Sequence, residues 1–389
     1  MVHFQHIDQS TFLTDYWQKK PLVIRQALPD FINPLTADEL AGLAMEEDVE
    51  SRMVLETPQQ APFWHLKTGP FLESDFATLP KTHWTLLVQS MDRLIPEVAL
   101  MLDHFNFIPQ WRVDDVMISY AVAQGSVGPH YDNYDVFLYQ ASGRRKWSLT
   151  TKNCTKNNCL RDVELRIMAD FETEEEYVLE AGDMLYLPPH VGHYGVSLSD
   201  DCMTYSFGYR SYQGQELWDS FGDFISEKAL FTALYHDPNW ATLPGTSAIT
   251  SEAWLQARHV MQQMLDDDCL MKTWFGCFAT RLDQQAEQHM PMPLDNEDEH
   301  DVSGFMNLLS QSRELQRDAT CRLAYLEDDV FCLFINGCEW NITGVSSSLV
   351  QYVANNRILN ILDLMPYLEF EDNRLFLHEL WTLQWLQPI

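Results

Sequence analysis

The chain has 389 residues, 46% hydrophobic and 12% aromatic, so it can bury a large core and is not a disordered sequence. Its 25 Lys+Arg stand against 57 Asp+Glu, a formal net charge of −32. Such a field repels nucleic acid, whose binding depends on cations that neutralise phosphates, and favours a basic partner.

The N-terminal Met1-Val-His-Phe-Gln-His lacks the basic and apolar regions of a secretory signal, and no apolar run approaches membrane-spanning length. A cytoplasmic protein with no membrane contact is expected, its eight cysteines free thiols. Cys154 to Cys159 reads as a surface loop, since no CxxC pair exists.

In chain order, Phe12 to Trp17 has helical spacing, Pro21 to Arg25 reads as a short strand, and Ala37 to Ala44 reads as a helix capped by Thr36. After about residue 110 the rhythm changes. Short apolar runs at 116–122, 134–140, 146–150, 176–180, 184–188 and 202–209 alternate with Gly, Pro, Asn and Asp turns, which suggests an antiparallel barrel or sandwich. From Gln213 to about Leu282 a helical period returns. Leu217, Phe221, Phe224 and Ile225 share one face, and Trp254 to Met264 forms another helix. The acidic, Pro-punctuated stretch 286–302 reads as a linker. Beyond it, 303–389 is a mixed unit: a helix near 303–315, strands near 321–336, helices near 347–365 and a strand near 374–378.

The chemistry lies in Gly128-Pro-His-Tyr-Asp-Asn-Tyr134. Alternate side chains of a strand share a face, so His130 and Asp132 project together and can converge on one cation. Sixty-one residues after Asp132, a strand runs into a Pro-Pro turn that ends at His193. If barrel closure brings that turn over the pair, two histidines and one carboxylate form the facial triad of non-haem Fe(II) oxygenases. His190 competes with His193 for the third position.

Taken as a set, several segments resemble the JmjC-type cupin oxygenases, in the bacterial cupin-4 branch that includes ribosomal oxygenases. They are Tyr16-Trp-Gln-Lys-Lys-Pro-Leu-Val-Ile-Arg25, Trp111 to Ser119, Gly128-Pro-His-Tyr-Asp132, Gly143-Arg-Arg-Lys-Trp147, Ala181 to Pro189 and Tyr205-Ser-Phe-Gly-Tyr-Arg210. The resemblance implies an α+β fold. A double-stranded β-helix (cupin, jelly-roll) barrel occupies 1–212 with its core at about 110–210, a helical dimerisation segment follows at 213–285, and 303–389 resembles a winged helix.

The same resemblance makes His130, Asp132 and His193 the Fe(II) ligands, with 2-oxoglutarate and molecular oxygen as cosubstrates. The position of His190 is usually a small turn residue in the family. Arg145 stands where the family anchors the cosubstrate, and a guanidinium suits a distal carboxylate. Strand alternation turns Arg145 away from Arg144 and Lys146. Thr204 stands where the family often has a cosubstrate-contacting Asn. The implied substrate is a side chain, arginine first, of a basic ribosomal protein, and the implied assembly is a homodimer. Asp114, Asp115 and Asp135 are the candidate carboxylates for such a substrate, with Tyr134 and Tyr139 lining the mouth. The winged-helix-like unit is too acidic for direct nucleic-acid binding. Two other readings remain open: a cupin metalloenzyme that does not use 2-oxoglutarate, and a non-catalytic metal-binding factor associated with ribosomes.

Overall fold

The computed structural model describes residues 1–59, 63–161, 163–228, 232–242, 245–295 and 300–389. They divide into two compact units, Met1–Ser211 and Tyr212–Ile389. Among the described residues, no helix is long and apolar enough to cross a membrane. All eight cysteines are free thiols.

The first unit opens with a helix at Gln9–Asp15, capped by the Asp8 carboxylate, which accepts from the Thr11 amide at 2.7 Å. Strand β1 is Leu22–Ile24, and a helix at Ala37–Leu43 begins on a reciprocal Thr36–Glu39 capping box. Three strands then follow that the sequence reading left unassigned: β2 (Ser51–Glu56), β3 (Trp64–Thr68) and β4 (Trp84–Val88). The remaining strands are β5 (Val113–Ala121), β6 (His130–Tyr131), β7 (Asp135–Ser142), β8 (Arg144–Thr150), β9 (Glu175–Glu180), β10 (Met184–Leu187), β11 (Gly192–Ser197) and β12 (Cys202–Tyr209). Each apolar run expected after residue 110 is a strand. β11 is an addition: the turn at 188–191 ends before His193, which lies within a strand and not at the end of the turn.

These strands form an eight-stranded sheet, β1-β10-β7-β12-β5-β4-β2-β3, and a four-stranded sheet, β6-β11-β8-β9, with every pair antiparallel. Val136, Leu138, Leu185 and Leu187 of the larger sheet join Trp147, Leu149 and Leu179 of the smaller in one inner core. The opposite face of the larger sheet carries Phe137, Tyr139, Tyr186, Tyr205 and Phe207, which pack on Phe12, Leu40 and Phe105 from the N-terminal helices and turns. The larger sheet is therefore covered on both sides. That is why β7, β10 and β12 read as nearly unbroken apolar runs with no polar alternation.

The second unit starts with helices at Gly214–Glu227, Ser251–Leu265 and Asp268–Thr280. Among its later elements are a helix at Val302–Gln311, strands β13 (Glu314–Arg317), β14 (Leu323–Leu326), β15 (Cys332–Ile335) and β16 (Cys338–Trp340), and a helix at Ser347–Asn355. Strand β17 (Ile358–Asn360), a helix at Glu371–Thr382 and strand β18 (Leu386–Pro388) close the chain. The sheets are β17-β13-β18 and β14-β15-β16. The helix at Asp268–Thr280 lies against the second sheet, with Gly276 so close that a Cβ there would come 2.4 Å from the Phe334 ring.

The strand expected near 374–378 is instead the middle of the last helix. Phe376, Leu377, Leu380 and Trp381 are buried at helical spacing, and Glu371 and Asp372 favour the helix start electrostatically. Within the stretch read as a linker, residues 296–299 lie outside the described residues, and Met290 and Leu294 pack on the C-terminal core.

Asp135 is fully buried on the outer face of β7. It meets Arg112 Nη2 and Ser211 Oγ at 3.2 Å, Gln18 Nε2 at 3.2 Å and the Tyr186 hydroxyl at 2.6 Å. Removing one member of a buried ionic network leaves the other charge uncompensated. Asp135→Ala is expected to cost about 3 kcal/mol of stability, read from the urea midpoint.

Candidate active site

The two-residue strand β6 pairs with β11 in a register that sets His130 directly opposite His193. Their ring centroids lie 4.2 Å apart. Asp132 follows two residues after His130, and its Oδ2 is 3.9 Å from His130 Nε2 and 3.6 Å from His193 Nε2. One donor atom from each of the three lies within 4.8 Å of the others.

Both histidines are held in the same way. The Nδ1 of His130 contacts the Gly128 carbonyl at 2.9 Å, and the Nδ1 of His193 contacts the Val191 carbonyl at 3.1 Å, each two residues upstream. A protonated Nδ1 donating to that carbonyl leaves the Nε2 lone pair facing Asp132, the tautomer a metal ligand needs. Burial pushes the pKa of His193 down to about 4, with His130 adding to the effect and Asp132 opposing it. The imidazole is thus neutral near pH 7, as coordination requires.

His190 does not join the group. It is exposed, sits at φ +64° in the turn, and its ring lies 5.9 Å from that of Tyr131. Its contribution is the backbone N–H, which donates to the Asp132 carbonyl at 2.8 Å. A left-handed backbone explains why a small residue is easier to place there.

Arg145 is 3% exposed and lies on the inner face of β8 with Trp147 and Leu149, while Arg144 is exposed. Its guanidinium carbon is 5.6 Å from the Trp147 ring centroid, and that ring is 5.8 Å from the ring of His193. A path of side chains thus leads along the inner wall from Arg145 to the metal group. Nε of Arg145 donates to Cys202 Sγ at 3.4 Å, but Nη2 is buried without a hydrogen-bond partner among the described residues. A buried guanidinium nitrogen without an acceptor is costly, and a carboxylate from a bound dicarboxylic acid would satisfy it. The residues present therefore fit 2-oxoglutarate as well as iron. Thr204 is also buried on the inner face, where its hydroxyl donates to Gln140 Oε1 at 3.3 Å.

A second cluster of acids shares an electrostatic neighbour, Tyr134, with Asp132 of the metal group. Asp114 and Asp115 together face Gly208, where the β5–β12 register shifts. Asp114 pairs with Arg210 at 2.6 Å. Asp115 accepts from Gln89 Nε2 at 3.1 Å and from the Ser90 amide at 3.0 Å, both on Oδ2. Burial, then Asp114 and Asp92, push the Asp115 carboxyl up to about 7, against the Ser90 hydrogen bond and Arg93. Tyr134 feels three of these carboxylates. Asp132 first, then burial, Asp115 and Asp114, hold its hydroxyl well above the ordinary value, with Arg52 opposing.

Two residues expected at the mouth are elsewhere. Asp135 is committed to Arg112 and Tyr186 on the outer face of the sheet. Tyr139 is fully buried there against Phe31. Both have the strand parity of Phe137, opposite to the inner Val136 and Leu138. The sequence reading also passed over Cys202 and Gln140. Their only signal is parity, since Cys202 stands two residues before Thr204 on one strand.

Metal titration separates the two histidine candidates. His193→Ala is expected to weaken Co(II) binding more than about 100-fold, beyond what loss of an outer-shell partner costs. His190→Ala should leave affinity and one-to-one stoichiometry unchanged.

A family model for the JmjC domain matches residues 100–217, and one for a ROXA-like winged helix matches residues 263–387. The chain is 35% identical over 320 residues to the ribosomal protein uL16 3-hydroxylase of Escherichia coli K12, covering 82% of this chain and 83% of that protein. It is 42% identical over 207 residues to a probable ribosomal oxygenase of Haemophilus influenzae, covering 53% of this chain and 50% of that one. Among solved structures, E. coli YcfD superposes with a TM-score of 0.86 at 30% identity over 99% of both chains. YcfD in complex with cobalt and 2-oxoglutarate superposes with a TM-score of 0.80 at 29% identity over 98% of both.

Proposed function

The chain belongs to the JmjC-domain ribosomal oxygenases and is a 2-oxoglutarate-dependent dioxygenase, and on that premise we propose that it hydroxylates an arginine side chain of a basic ribosomal protein. The observation that carries the arginine is the acid cluster beside the triad. Both hydrogen bonds of Asp115 fall on Oδ2, which leaves Oδ1 for an incoming guanidinium. Asp114 is already paired with Arg210, so Asp115 is the first acceptor, and the Tyr134 hydroxyl lies within electrostatic reach of both Asp115 and Asp132.

In this reading His130, Asp132 and His193 would hold Fe(II), the two-histidine, one-carboxylate set that suits a non-haem iron. Bound iron and 2-oxoglutarate, with molecular oxygen, supply an oxidative decarboxylation that gives succinate and carbon dioxide and places one oxygen atom on a substrate C–H bond. The chain supplies position. Arg145 Nη2 takes the distal carboxylate of the cosubstrate. Trp147, Leu149 and Leu187 form a dry wall around the site, where each polar contact acts in a low dielectric. Asp115 and Tyr134 draw the arginine side chain to one side of the metal so that a single carbon is presented. The charge of −32 speeds encounter with a basic protein. A ribosomal substrate puts the enzyme in the cytoplasm, and no direct contact with nucleic acid is invoked.

The 213–285 helices are proposed as a homodimer interface, supported by the exposed side chains of Trp218, Trp254, Leu255, Met261 and Leu265. The pair Trp218→Glu and Leu255→Glu is expected to yield monomers by light scattering.

Incubation with Fe(II), 2-oxoglutarate and ribosomal proteins is expected to add one oxygen to an arginine-containing peptide of one of them. A gain on a different residue type would overturn the arginine assignment. Asp115→Asn keeps an oxygen for Gln89 and Ser90, and is expected to raise KM for the protein substrate about ten-fold. Its effect on stability has the opposite sign. The native carboxyl titrates near 7 when folded against an ordinary 3.8, so its burden is fully present above pH 7 and vanishes below about pH 4. The variant should therefore melt higher than the native chain at pH 8, with the gap closing as pH falls.

A further inference from the structure

Cys202 is fully buried at the start of β12, and it shares the inner face with Thr204. The hairpin between β7 and β8 wraps over it: Gly143 turns at φ +67°, and a Cβ there would sit 2.8 Å from the Cys202 Cα. Its sulfur accepts from Arg145 Nε at 3.4 Å and from Gln140 Nε2 at 3.2 Å. Gln140 is itself tied down. Its Nε2 also donates to the Ser142 carbonyl at 2.7 Å and the Met203 carbonyl at 3.2 Å, and its Oε1 accepts from Thr204. A polar chain Thr204–Gln140–Cys202–Arg145 therefore runs across the inner face, and it ends on Arg145, whose buried Nη2 has no hydrogen-bond partner among the described residues.

A guanidinium is a rigid fork, so fixing Nε, with the guanidinium carbon held 5.6 Å from the Trp147 ring centroid, restricts where Nη2 points. The choice of sulfur matters. A carboxylate at this position would neutralise Arg145 and repel a dicarboxylate, whereas a thiol accepts weakly and leaves the positive charge available. Burial opposes ionisation of the thiol, but the Arg145 guanidinium and the hydrogen bonds from Ser197, Arg145 and Gln140 outweigh it, and the thiol lies below its usual range.

We infer that Cys202 is a positioning residue for the cosubstrate: its sulfur fixes the Arg145 guanidinium so that Nη2 is presented to the distal carboxylate of 2-oxoglutarate. The inference rests on the reading of Arg145 as the anchor. Titration calorimetry of 2-oxoglutarate into the Co(II)-loaded full chain tests it without turnover. Cys202→Ala is expected to bind 2-oxoglutarate about ten-fold more weakly, the loss of one hydrogen bond to a charged group. Cys202→Ser, which retains an acceptor, should recover most of that loss. KM for 2-oxoglutarate should rise in the alanine variant while kcat at saturating cosubstrate stays near native. Native affinity in Cys202→Ala overturns the inference. So does a serine variant as weak as the alanine one, since the residue then only fills space. Arg145→Met is the control: unimpaired binding there defeats the anchor itself, whereas a loss there beside an intact Cys202→Ala defeats only the role of Cys202.

Discussion

The pairing of β6 with β11 is the constraint on which the site depends. β6 is only two residues long, yet its register places His130 opposite His193, so the two imidazoles meet across one antiparallel pair. The same junction ties in the third donor. The amide of His190 bonds the Asp132 carbonyl, which fastens the segment just after β6 that carries the carboxylate to the turn that leads into His193. Each ring is then oriented by the carbonyl two residues upstream. Three polar donors crowded together in a largely buried place are expensive without a cation, because each loses water. The surrounding barrel makes the arrangement persist, and that rigidity is what a metal site requires.

The larger sheet divides its residues between two tasks by strand parity. On β7, Phe137 and Tyr139 pack outward on the N-terminal helices, while Val136, Leu138 and Gln140 face the barrel interior. On β12, Met203, Tyr205 and Phe207 go outward, while Thr204 and Cys202 go inward. One strand thus contributes simultaneously to the main core and to the polar lining of the site. The smaller sheet answers with Arg145 and Trp147. Close packing is required within the smaller sheet too: Gly195 of β11 pairs with Trp147 of β8, and a Cβ on Gly195 would come 2.6 Å from the Trp147 ring, the side chain that separates Arg145 from His193.

Two aspartates contrast in how their carboxylates are satisfied. Asp135 is surrounded by four donors and fills a structural niche. Asp115 has donors on one oxygen only and two acidic neighbours, and its carboxyl is pushed up accordingly. Burial raises both carboxyls, so it is the open oxygen of Asp115, and not the shift, that supports its proposed role as the substrate's acceptor. The acidity of the whole chain points the same way, but composition alone does not tell which carboxylates matter.

Much of the site was legible along the chain because it is local. His130 and Asp132 are two residues apart on an extended backbone, so their convergence follows from pleat geometry, and parity separates Arg145 from Arg144 and Lys146. The short apolar runs likewise marked the barrel strands, and helical spacing marked the Ala37–Leu43 helix and the second half of the Gln9–Asp15 helix, whose start at the Asp8 cap lies before the expected Phe12. What failed was non-local or cut short. The segment 374–378 is apolar enough to pass for a strand until the burial of Leu380 and Trp381 reveals its period. Tyr139 and Asp135 resemble site residues by proximity in sequence, but a covered sheet sends their parity to the other face. The choice of His193 over His190 depends on a left-handed turn and a register of strands sixty residues apart. The inward sulfur of Cys202 depends on hairpin closure over a different strand. The sequence by itself determined the residue types and their spacing within single strands. Only the tertiary structure decided which strands face each other, because pairing across long loops is set by the closure of the whole barrel and not by any one segment.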